Sequence, residues 1–474
     1  MARKDVSDDE TRRARYARGK ALRKANAREK HGEFAGEHDR DPVAILGESD
    51  SGRIARLLPL RYARMTQSPF AFLRGAAAVM AADLASEPIA GVDVQGCGDC
   101  HLMNFGVFAS PEDNILFDIN DFDETLPGVD FTLDVKRLAA SVAVAAQAGG
   151  NSDRKARAFA AGAIAAYRRH MQDLALLSPI EIWRSRIDLP LEIAAFSNPS
   201  LARRLRGALM KVGPDLDRDD NFPHLATSKK GVARIADRDD TIFHLDPTEA
   251  GEAFDPQAAF AGYLRGLTPE RAALLARYRL VDFAFKVVGV GSVGTFCAIG
   301  LFLSGDGEPL FLQIKEAQRS VLERVAPRSV WALGQGRRVV EGQRVLQAAS
   351  DVLLGWVEEP EHNRHFYVRQ LKNRHLGSLG EVLEGEALPA YARLCGRTLA
   401  RAHARSGDPA VIAGYMGRSE VFDDAMASFA MKYARQTRKD HAALVAAKGP
   451  SPGAAPSRNK AGKAKAKAAA NAPA

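Results

Sequence analysis

The sequence is organised around two neighbouring stretches, CGDCHLMN at residues 97–104 and NILFDINDFDE at residues 114–124. The first places an acid and an amide five positions apart, at Asp99 and Asn104. The second carries three more aspartates along a run whose apolar residues predict a short strand. Neighbouring carboxylates raise one another's pKa, and a shared cation relieves their repulsion. The two stretches therefore predict a catalytic loop followed by a magnesium loop.

These acids match what phosphoryl transfer requires, which is a carboxylate near the acceptor hydroxyl and oxygen ligands for Mg²⁺. Asp99 is the candidate general base, and Asn104 and Asp121 are the candidate metal ligands. Asp118 and Asp123 are alternatives for the second ligand, because one Mg²⁺ usually takes only one or two carboxylates besides the phosphates. Turn formation beside glycine is the structural alternative for Asp99 and Asn104.

A glycine-rich segment in the second half of the chain predicts the other part of such a site. Gly289, Gly291 and Gly294 lie between two predicted strands, and Lys315 lies on a third. Protein kinases use this arrangement: backbone N–H groups of the glycine-rich loop approach the phosphates of ATP, and the strand lysine contacts them. The dinucleotide-binding version instead joins a strand to a helix. We therefore expect ATP as the nucleotide, with a bulged hairpin and an edge-strand charge as the structural alternatives.

Two further features follow from the kinase pattern. An acid after the lysine should pair with it, and Glu341 is favoured for that role over Glu316 and Glu323. Residues 366–371 are the expected hinge, whose backbone groups would contact adenine.

Arginines that precede the catalytic loop are candidates for binding anions. Arg61, Arg64 and Arg74 would contact a phosphate or an acidic acceptor. Salt bridges on a helix face are the alternative for all three.

Composition limits the class of protein. The chain has 474 residues, of which 46% are hydrophobic, enough for two or three domains with a sizeable core. No apolar run approaches the length of a spanning helix and the N-terminus does not resemble a signal peptide, so we expect a cytoplasmic protein without membrane contact. Four cysteines are too few for a disulfide framework. The isolated pair Cys97 and Cys100 favours buried thiols over a zinc site.

The formal net charge of +8 comes largely from the two ends of the chain. Both ends are rich in charged residues and are expected to stay solvated. Because basic residues there are not interleaved with aromatic ones, specific nucleic-acid binding is not expected, and the basic tail would make at most weak contacts with acidic partners.

The hydrophobic pattern predicts an α+β protein with helices on both sides of an antiparallel meander. The expected divisions are a charged, partly disordered leader, a helical lobe with the catalytic and metal loops, a small β lobe with the glycine-rich loop, C-terminal helices that complete the large lobe, and a disordered basic tail. Their ranges are 1–50, 51–280, 281–375, 376–447 and 448–474.

Three motifs carry a resemblance to known enzymes. Residues 98–104, GDCHLMN, resemble the His-Gly-Asp-x-His-x-x-Asn loop of aminoglycoside phosphotransferase-like and choline-kinase-like enzymes, with Cys97 where that family has histidine. Residues 119–123, INDFD, resemble their magnesium loop, and residues 133–135, LDV, resemble a helix start whose aspartate, here Asp134, is structural. The resemblance implies a protein kinase-like fold of two lobes that uses ATP and Mg²⁺.

A second resemblance covers most of residues 50–440. From SPFAFLRG at 68–75 to AHARSGD at 402–408, the chain resembles the bacterial family called domain of unknown function 2252, which implies no established substrate. The catalytic and magnesium loops precede the glycine-rich loop, whereas kinases have the opposite order. This predicts a circularly permuted kinase-like fold with a mostly helical large lobe and a small antiparallel β lobe.

The expected function is therefore an ATP- and Mg²⁺-dependent phosphotransferase that acts on an unknown small-molecule or protein hydroxyl. A non-catalytic nucleotide-binding pseudokinase or sensor is the alternative. A metallophosphoesterase would explain Gly98-Asp99-x-His101, but it needs two metals and several histidines. The kinase-like prediction requires Lys315 and Asp121 to lie across one cleft from each other.

Overall fold

The computed structural model of the chain describes most of the residues between 10 and 449. The main described stretches are 10–35, 40–195, 254–326, 331–359, 363–371 and 387–449. Shorter ones are 199, 202–203, 206–207, 225–229, 232–238 and 241–244. The predicted basic tail from residue 450 onward lies outside the described residues.

Helices make up most of the described chain, and many begin where the sequence supplies a capping side chain or an early proline. Ser68 caps one helix and Asp130 caps another, each accepting a hydrogen bond from a backbone N–H in the first turn. The helices before the sheet are α1 Arg12–Leu22, α2 Pro42–Glu48, α3 Leu58–Met65, α4 Pro69–Gly75, α5 Ala77–Leu84, α6 Phe131–Ala148, α7 Asp153–Leu174, α8 Pro179–Arg184, α9 Leu189–Ala195, α10 Pro256–Gly266 and α11 Pro269–Leu275. Those after it are α12 Gln335–Leu346, α13 Leu388–Ser406, α14 Pro409–Met416 and α15 Val421–Lys448.

The strands form small antiparallel sheets, so the protein is of mixed α+β class. The described strands are β1 Asp93–Gly96, β2 Phe105–Ala109, β3 Ile115–Ile119, β4 Leu126–Asp130, β5 Ala226–Lys229, β6 Val232–Ile235, β7 Ile242–Phe243, β8 Tyr278–Lys286, β9 Cys297–Ser304, β10 Pro309–Glu316, β11 Gly355–Glu359 and β12 Arg364–Gln370. The largest sheet has the order β11-β12-β10-β9-β8-β7, and the pairs β1-β4, β2-β3 and β5-β6 stand apart from it. The predicted meander is confirmed, since β8, β9 and β10 pair consecutively.

The sequence of residues 104–117 predicts a hairpin that turns at residues 111–114, and this prediction is confirmed. Strands β2 and β3 pair antiparallel, with Phe105 opposite Ile119 and Ala109 opposite Ile115. Asp113 takes a positive φ of 59° in the turn, a conformation that Asp and Asn tolerate better than most residues. The hairpin therefore returns the chain so that the predicted catalytic and magnesium loops are neighbours.

The large hydrophobic core lies among helices α6, α7, α13 and α15. Helix α6 is buried over nearly its whole length, because its alanines and valines let neighbouring helices approach from several sides. A separate core fills one face of the six-stranded sheet and includes Phe285, Phe296 and Phe366. Within the described residues, no helix combines the length and hydrophobicity that crossing a bilayer requires.

The charged leader differs from its prediction as a solvated segment. Residues Arg12–Leu22 form α1, and this helix packs against α14. A Cβ on Gly19 would lie 2.0 Å from the carbonyl oxygen of Val411, and one on Gly414 would lie 2.1 Å from that of Tyr16. The two glycines therefore allow a backbone-to-backbone approach that the charge pattern of the leader did not indicate.

Candidate functional site

The first turn of α6 holds the predicted catalytic loop in place. Asp134 accepts hydrogen bonds from the backbone N–H groups of Cys97, at 2.6 Å, and Gly98, at 2.9 Å. Its carboxylate also lies 3.1 Å from Nε2 of His403, whose Nδ1 lies 2.8 Å from the Tyr167 hydroxyl. Asp134 thus fixes the backbone on the N-terminal side of Asp99, which fits a structural role.

Asp99 lies in the cleft with one carboxylate oxygen held and the other without a hydrogen bond within the described chain. Its Oδ1 accepts from Nε of Arg137 at 2.9 Å and from Nη2 at 2.6 Å, while Oδ2 lies 3.7 Å from Nε2 of His101. Burial raises the pKa of Asp99, and Arg137 opposes that shift. Burial and the same arginine lower the pKa of His101 well below its usual value, so this imidazole is neutral at pH 7.

Asn104 presents its amide oxygen away from the catalytic loop backbone. Its Nδ2 donates to the Asp99 carbonyl at 2.7 Å, and a carbonyl can only accept, so the amide nitrogen must be the atom on that side. Asn104 lines the same cleft as Asp121.

Asp121 and Asp123 differ in their electrostatic surroundings. Oδ1 of Asp121 accepts from the Asp123 N–H at 3.2 Å, and within the described part of the chain Asp121 has no ion pair. Burial and the negative charge of Asp123 raise the pKa of Asp121. Burial acts in the same direction on Asp123, but Lys315 and Tyr367 outweigh it and lower the pKa of Asp123.

Asp123 is where the two distant parts of the sequence meet. Lys315 on β10 forms an ion pair with Oδ2, the Tyr367 hydroxyl on β12 donates to Oδ1 at 2.7 Å, and Ser292 donates to Oδ2 at 3.3 Å. Burial would lower the pKa of Lys315, yet the charge of Asp123 raises it well above its ordinary value. Lys315 is therefore a charged ammonium beside the predicted magnesium loop.

The glycine-rich segment forms a turn between β8 and β9 over the same cleft. Gly289 and Gly294 adopt φ values of 66° and 92°, which glycine accepts without steric cost. The turn is tied to the N-terminal helices, because the Gly289 carbonyl accepts from Arg64 at 2.6 Å and the Gly294 carbonyl accepts from the Ile54 N–H at 2.8 Å.

The resulting cleft holds about 910 Å³ of space, including its open mouth. Both carboxylates and arginines line it. Its charged and amide side chains are Arg53, Arg61, Arg74, Asp99, His101, Asn104, Asp121, Asp123, Glu124, Glu316 and Gln318. Gly289 and Gly291 of the glycine-rich turn complete it.

Asp118 lies outside this cleft and is fully buried. Its Oδ1 is 2.5 Å from Nη2 of Arg401, and its Oδ2 accepts from the Ala348 N–H at 2.9 Å. Strand alternation turns Asp118 inward from β3, so its carboxylate is used in packing β3 against α12 and α13.

The predicted pairing of Lys315 with Glu341 is wrong. Lys315 pairs with Asp123, and Glu341 is a half-buried residue of α12 that bonds Arg337 one turn earlier. The two alternative acids are also paired elsewhere: Glu316 bonds Arg364, at 3.1 Å, and Glu323 bonds Arg319.

The predicted hinge is also corrected. Residues 366–370 belong to β12, which pairs with β10 on one side and, up to Val368, with β11 on the other. The Leu371 N–H donates to Phe311 at 2.9 Å. Their backbone groups therefore serve the sheet, and the segment after Leu371 lies outside the described residues.

Several residues that line the cleft or contact its side chains had no role in the sequence prediction. The contact of Arg137 with the predicted catalytic loop could have been predicted, because Arg137 follows Asp134 by three positions on α6 and so lies on the same helix face. Arg53 and Glu124 had no such signal, since their positions depend on contacts between segments far apart in sequence.

The fold and cleft define a mixed α+β protein in which a loop–hairpin unit and a small antiparallel sheet share one polar cavity. The chain belongs to a bacterial family described as "Uncharacterized protein conserved in bacteria (DUF2252)", whose model matches residues 53–447. Comparison with curated proteins and with solved structures gave no match.

Proposed function

We propose that this protein is an ATP- and Mg²⁺-dependent phosphotransferase that acts on a hydroxyl of a small molecule or a protein. The observation that carries the proposal is the contact of Lys315 with Asp123, which joins the glycine-rich sheet to the predicted magnesium loop. The predicted catalytic and magnesium loops and the glycine-rich turn each suggest phosphoryl transfer from their own sequence. Residues from all three segments line one cleft.

The arrangement of the sheet supports the kinase-like part of the proposal. The glycine-rich turn joins β8 to β9, Lys315 lies on β10, and helix α12 follows. In protein kinases the glycine-rich loop covers the phosphates and the lysine lies on the third strand. The protein departs from that pattern because the lysine's partner is Asp123 of the magnesium loop rather than an acid on the helix. We propose a kinase-like fold in permuted order on this basis.

The donor set of the cleft suits Mg²⁺. Asn104 has an amide oxygen that is not held by the loop, and Asp121 has a carboxylate without an ion pair in the described chain. Mg²⁺ prefers such oxygen ligands and keeps several waters, so one amide and one or two carboxylates suffice. When bound, the ion would neutralise charge that develops on the phosphates. Within the described residues no cluster of three His, Cys, Asp or Glu side chains suits a metal, which gives no support to a metallophosphoesterase.

Asp99 is the general base in this proposal. Arg137 holds Oδ1 and fixes the orientation of the carboxylate, which leaves Oδ2 to accept the proton of the acceptor hydroxyl. The raised pKa of Asp99 suits this role, because a base with a higher pKa takes up a proton more readily. Lys315 and the backbone of the glycine-rich turn would contact the phosphates of the nucleotide.

A nucleotide sensor without transferase activity is the second candidate, and one observation favours it. Lys315, Tyr367 and Ser292 all contact Asp123, so one carboxylate of the magnesium loop is already engaged. The purified protein should be incubated with ATP, MgCl₂ and pools of metabolites, and the products should be identified by mass spectrometry. Formation of ADP with a phosphorylated acceptor would support the proposal. Unchanged ATP in every pool would favour the sensor, and release of pyrophosphate with an AMP-modified product would replace phosphoryl transfer by nucleotidyl transfer.

A further inference from the structure

Arg74 is a cation of the cleft that forms no ion pair and no side-chain hydrogen bond among the residues that the structure describes. It lies in the last turn of α4 and lines the cleft together with Asp99. Its Nε is buried without a hydrogen-bond partner, and no ion pair to it occurs in the described residues. A guanidinium stays protonated in proteins and carries five N–H donors, so leaving buried donors unmatched is costly.

The two neighbouring arginines of the cleft are used differently. Arg61 donates to Asp50 at 2.9 Å and to the Gly75 carbonyl at 3.3 Å. Arg53 donates from Nη1 to the Val293 carbonyl at 2.6 Å and so holds the glycine-rich turn. These two side chains support the walls of the cleft. Arg74 alone among the three has no such contact in the part of the chain that the structure describes.

The position of Arg74 relates it to the proposed base. Burial lowers the pKa of Arg74 and the charge of Asp99 opposes that shift, yet the two side chains do not form an ion pair. Asp99 instead pairs with Arg137. The Arg74 carbonyl lies 3.2 Å from where a Cβ on Gly291 would be, so α4 ends directly at the glycine-rich turn. An anion bound to Arg74 would therefore lie inside the cleft, close to Asp99.

We propose that the phosphoryl acceptor carries a phosphate or carboxylate group in addition to the reacting hydroxyl, and that Arg74 binds this anionic group. The planar guanidinium matches either group through two parallel hydrogen bonds. This inference rests on the proposed function. The nucleotide phosphates have Lys315 and the glycine-rich turn as their expected contacts, which leaves Arg74 for the acceptor.

In the proposed reaction, the acceptor oxygen forms a bond to the γ-phosphorus of ATP, and the bond from that phosphorus to the bridging oxygen breaks. ADP leaves with the electron pair, and Asp99 takes the proton of the hydroxyl. Arg74 keeps its proton throughout and orients the acceptor by holding its second, anionic group.

Inorganic phosphate is the probe for the test. Its apparent Kd is measured from the thermal unfolding midpoint against phosphate concentration, with ionic strength matched by sodium chloride. The full chain, the Arg74→Gln variant and the Arg157→Gln variant are compared, each alone and with saturating AMP-PNP and MgCl₂. Arg157 is an exposed arginine paired with Asp424 on the helical side and serves as the matched control.

We expect phosphate to bind the wild type and Arg157→Gln equally, and Arg74→Gln about 10- to 100-fold more weakly. AMP-PNP should leave this binding nearly unchanged. Equal phosphate affinity in Arg74→Gln and wild type would overturn the inference, and so would loss of phosphate binding when AMP-PNP is present, because Arg74 would then serve the nucleotide.

The same data separate this inference from the proposed function. If AMP-PNP fails to bind the wild type while phosphate binding still depends on Arg74, the anion site stands and the ATP-dependent function falls. Folding of the variant is checked by its midpoint without phosphate, which should not decrease because no hydrogen bond or ion pair among the described residues is removed. The Arg74→Lys variant, which keeps the charge but loses the planar fork, should bind phosphate with intermediate affinity.

Discussion

Lys315 contacts Asp123, although the two residues are 192 positions apart in the chain. The ammonium is almost completely buried, whereas 27% of the Asp123 side chain is exposed. The Tyr367 hydroxyl and Ser292 complete the surroundings of the carboxylate. One ion pair therefore links the six-stranded sheet to the hairpin that carries the proposed metal ligands.

Replacing Asp123 and replacing Lys315 should destabilise the protein to different extents. Asp123→Asn leaves a buried lysine without its counter-charge and should lower the free energy of unfolding by about 3–5 kcal/mol. Lys315→Met should cost less, because Asp123 is partly exposed and keeps Tyr367 and Ser292 as donors. Urea unfolding of both variants measures the two losses.

The double variant Lys315→Met/Asp123→Asn is the control for this comparison. It removes both charges, so its loss should be smaller than the sum of the single losses by about 0.5–3 kcal/mol. Strict additivity would show that the two residues do not interact in solution.

Asp99→Asn should lower turnover by about 10²- to 10⁴-fold, the usual share of a general base, while the protein stays folded. The amide still offers Arg137 an oxygen, so the surroundings of Oδ1 are largely kept. Nucleotide consumption and circular dichroism measure the two effects. Asp113→Asn is the matched control, since Asp113 is an exposed turn residue with positive φ. Full activity in Asp99→Asn would remove the role given to Asp99.

Asp118 and Asp121 should respond differently to the same change. Asp118→Asn weakens the buried pair with Arg401 and should destabilise the protein by about 3 kcal/mol or more. Asp121→Asn should leave stability unchanged or slightly higher, because burial already disfavours the charged form of Asp121. Its effect should appear as a loss of Mg²⁺-dependent nucleotide binding. Equal destabilisation by both variants would contradict the separation of roles.

The sequence predicted elements better than contacts between elements. The alternation of apolar residues and the glycines identified the β8–β10 meander and the turn that carries Gly289 and Gly294, because both signals are local. The β2–β3 hairpin was predicted for the same reason.

The failures came from side chains whose partners lie far away in the chain. Glu341 follows the lysine on a helix, as the kinase pattern requires, but the orientation of α12 on the sheet places it beside Arg337. Asp118 could not be separated from Asp121 because its partner, Arg401, lies 283 positions later. The periodicity of a helix or strand shows which side chains share a face. Which other element that face contacts depends on the tertiary packing.

Glu124 should give stability a measurable pH dependence. It lines the cleft, and burial raises its pKa to about 7, above the 4.5 of an unperturbed glutamate. Folding therefore takes up a proton between these values, so the contribution of Glu124 to stability is greatest below pH 4.5 and is lost as the pH rises through 7. Glu124→Gln stays neutral, so its stability relative to wild type should increase over that interval. Urea unfolding at a series of pH values checks this, and a difference that is constant with pH would contradict it.

The most direct test of the shared nucleotide site is calorimetry of AMP-PNP binding with and without MgCl₂ to the wild type, Asp121→Asn and Lys315→Met. The wild type should bind AMP-PNP, and its affinity should fall about tenfold or more without Mg²⁺. Asp121→Asn should lose that Mg²⁺ dependence, and Lys315→Met should weaken binding in both conditions. A folded wild-type protein that binds no AMP-PNP, or one whose binding is indifferent to both substitutions, would contradict the account.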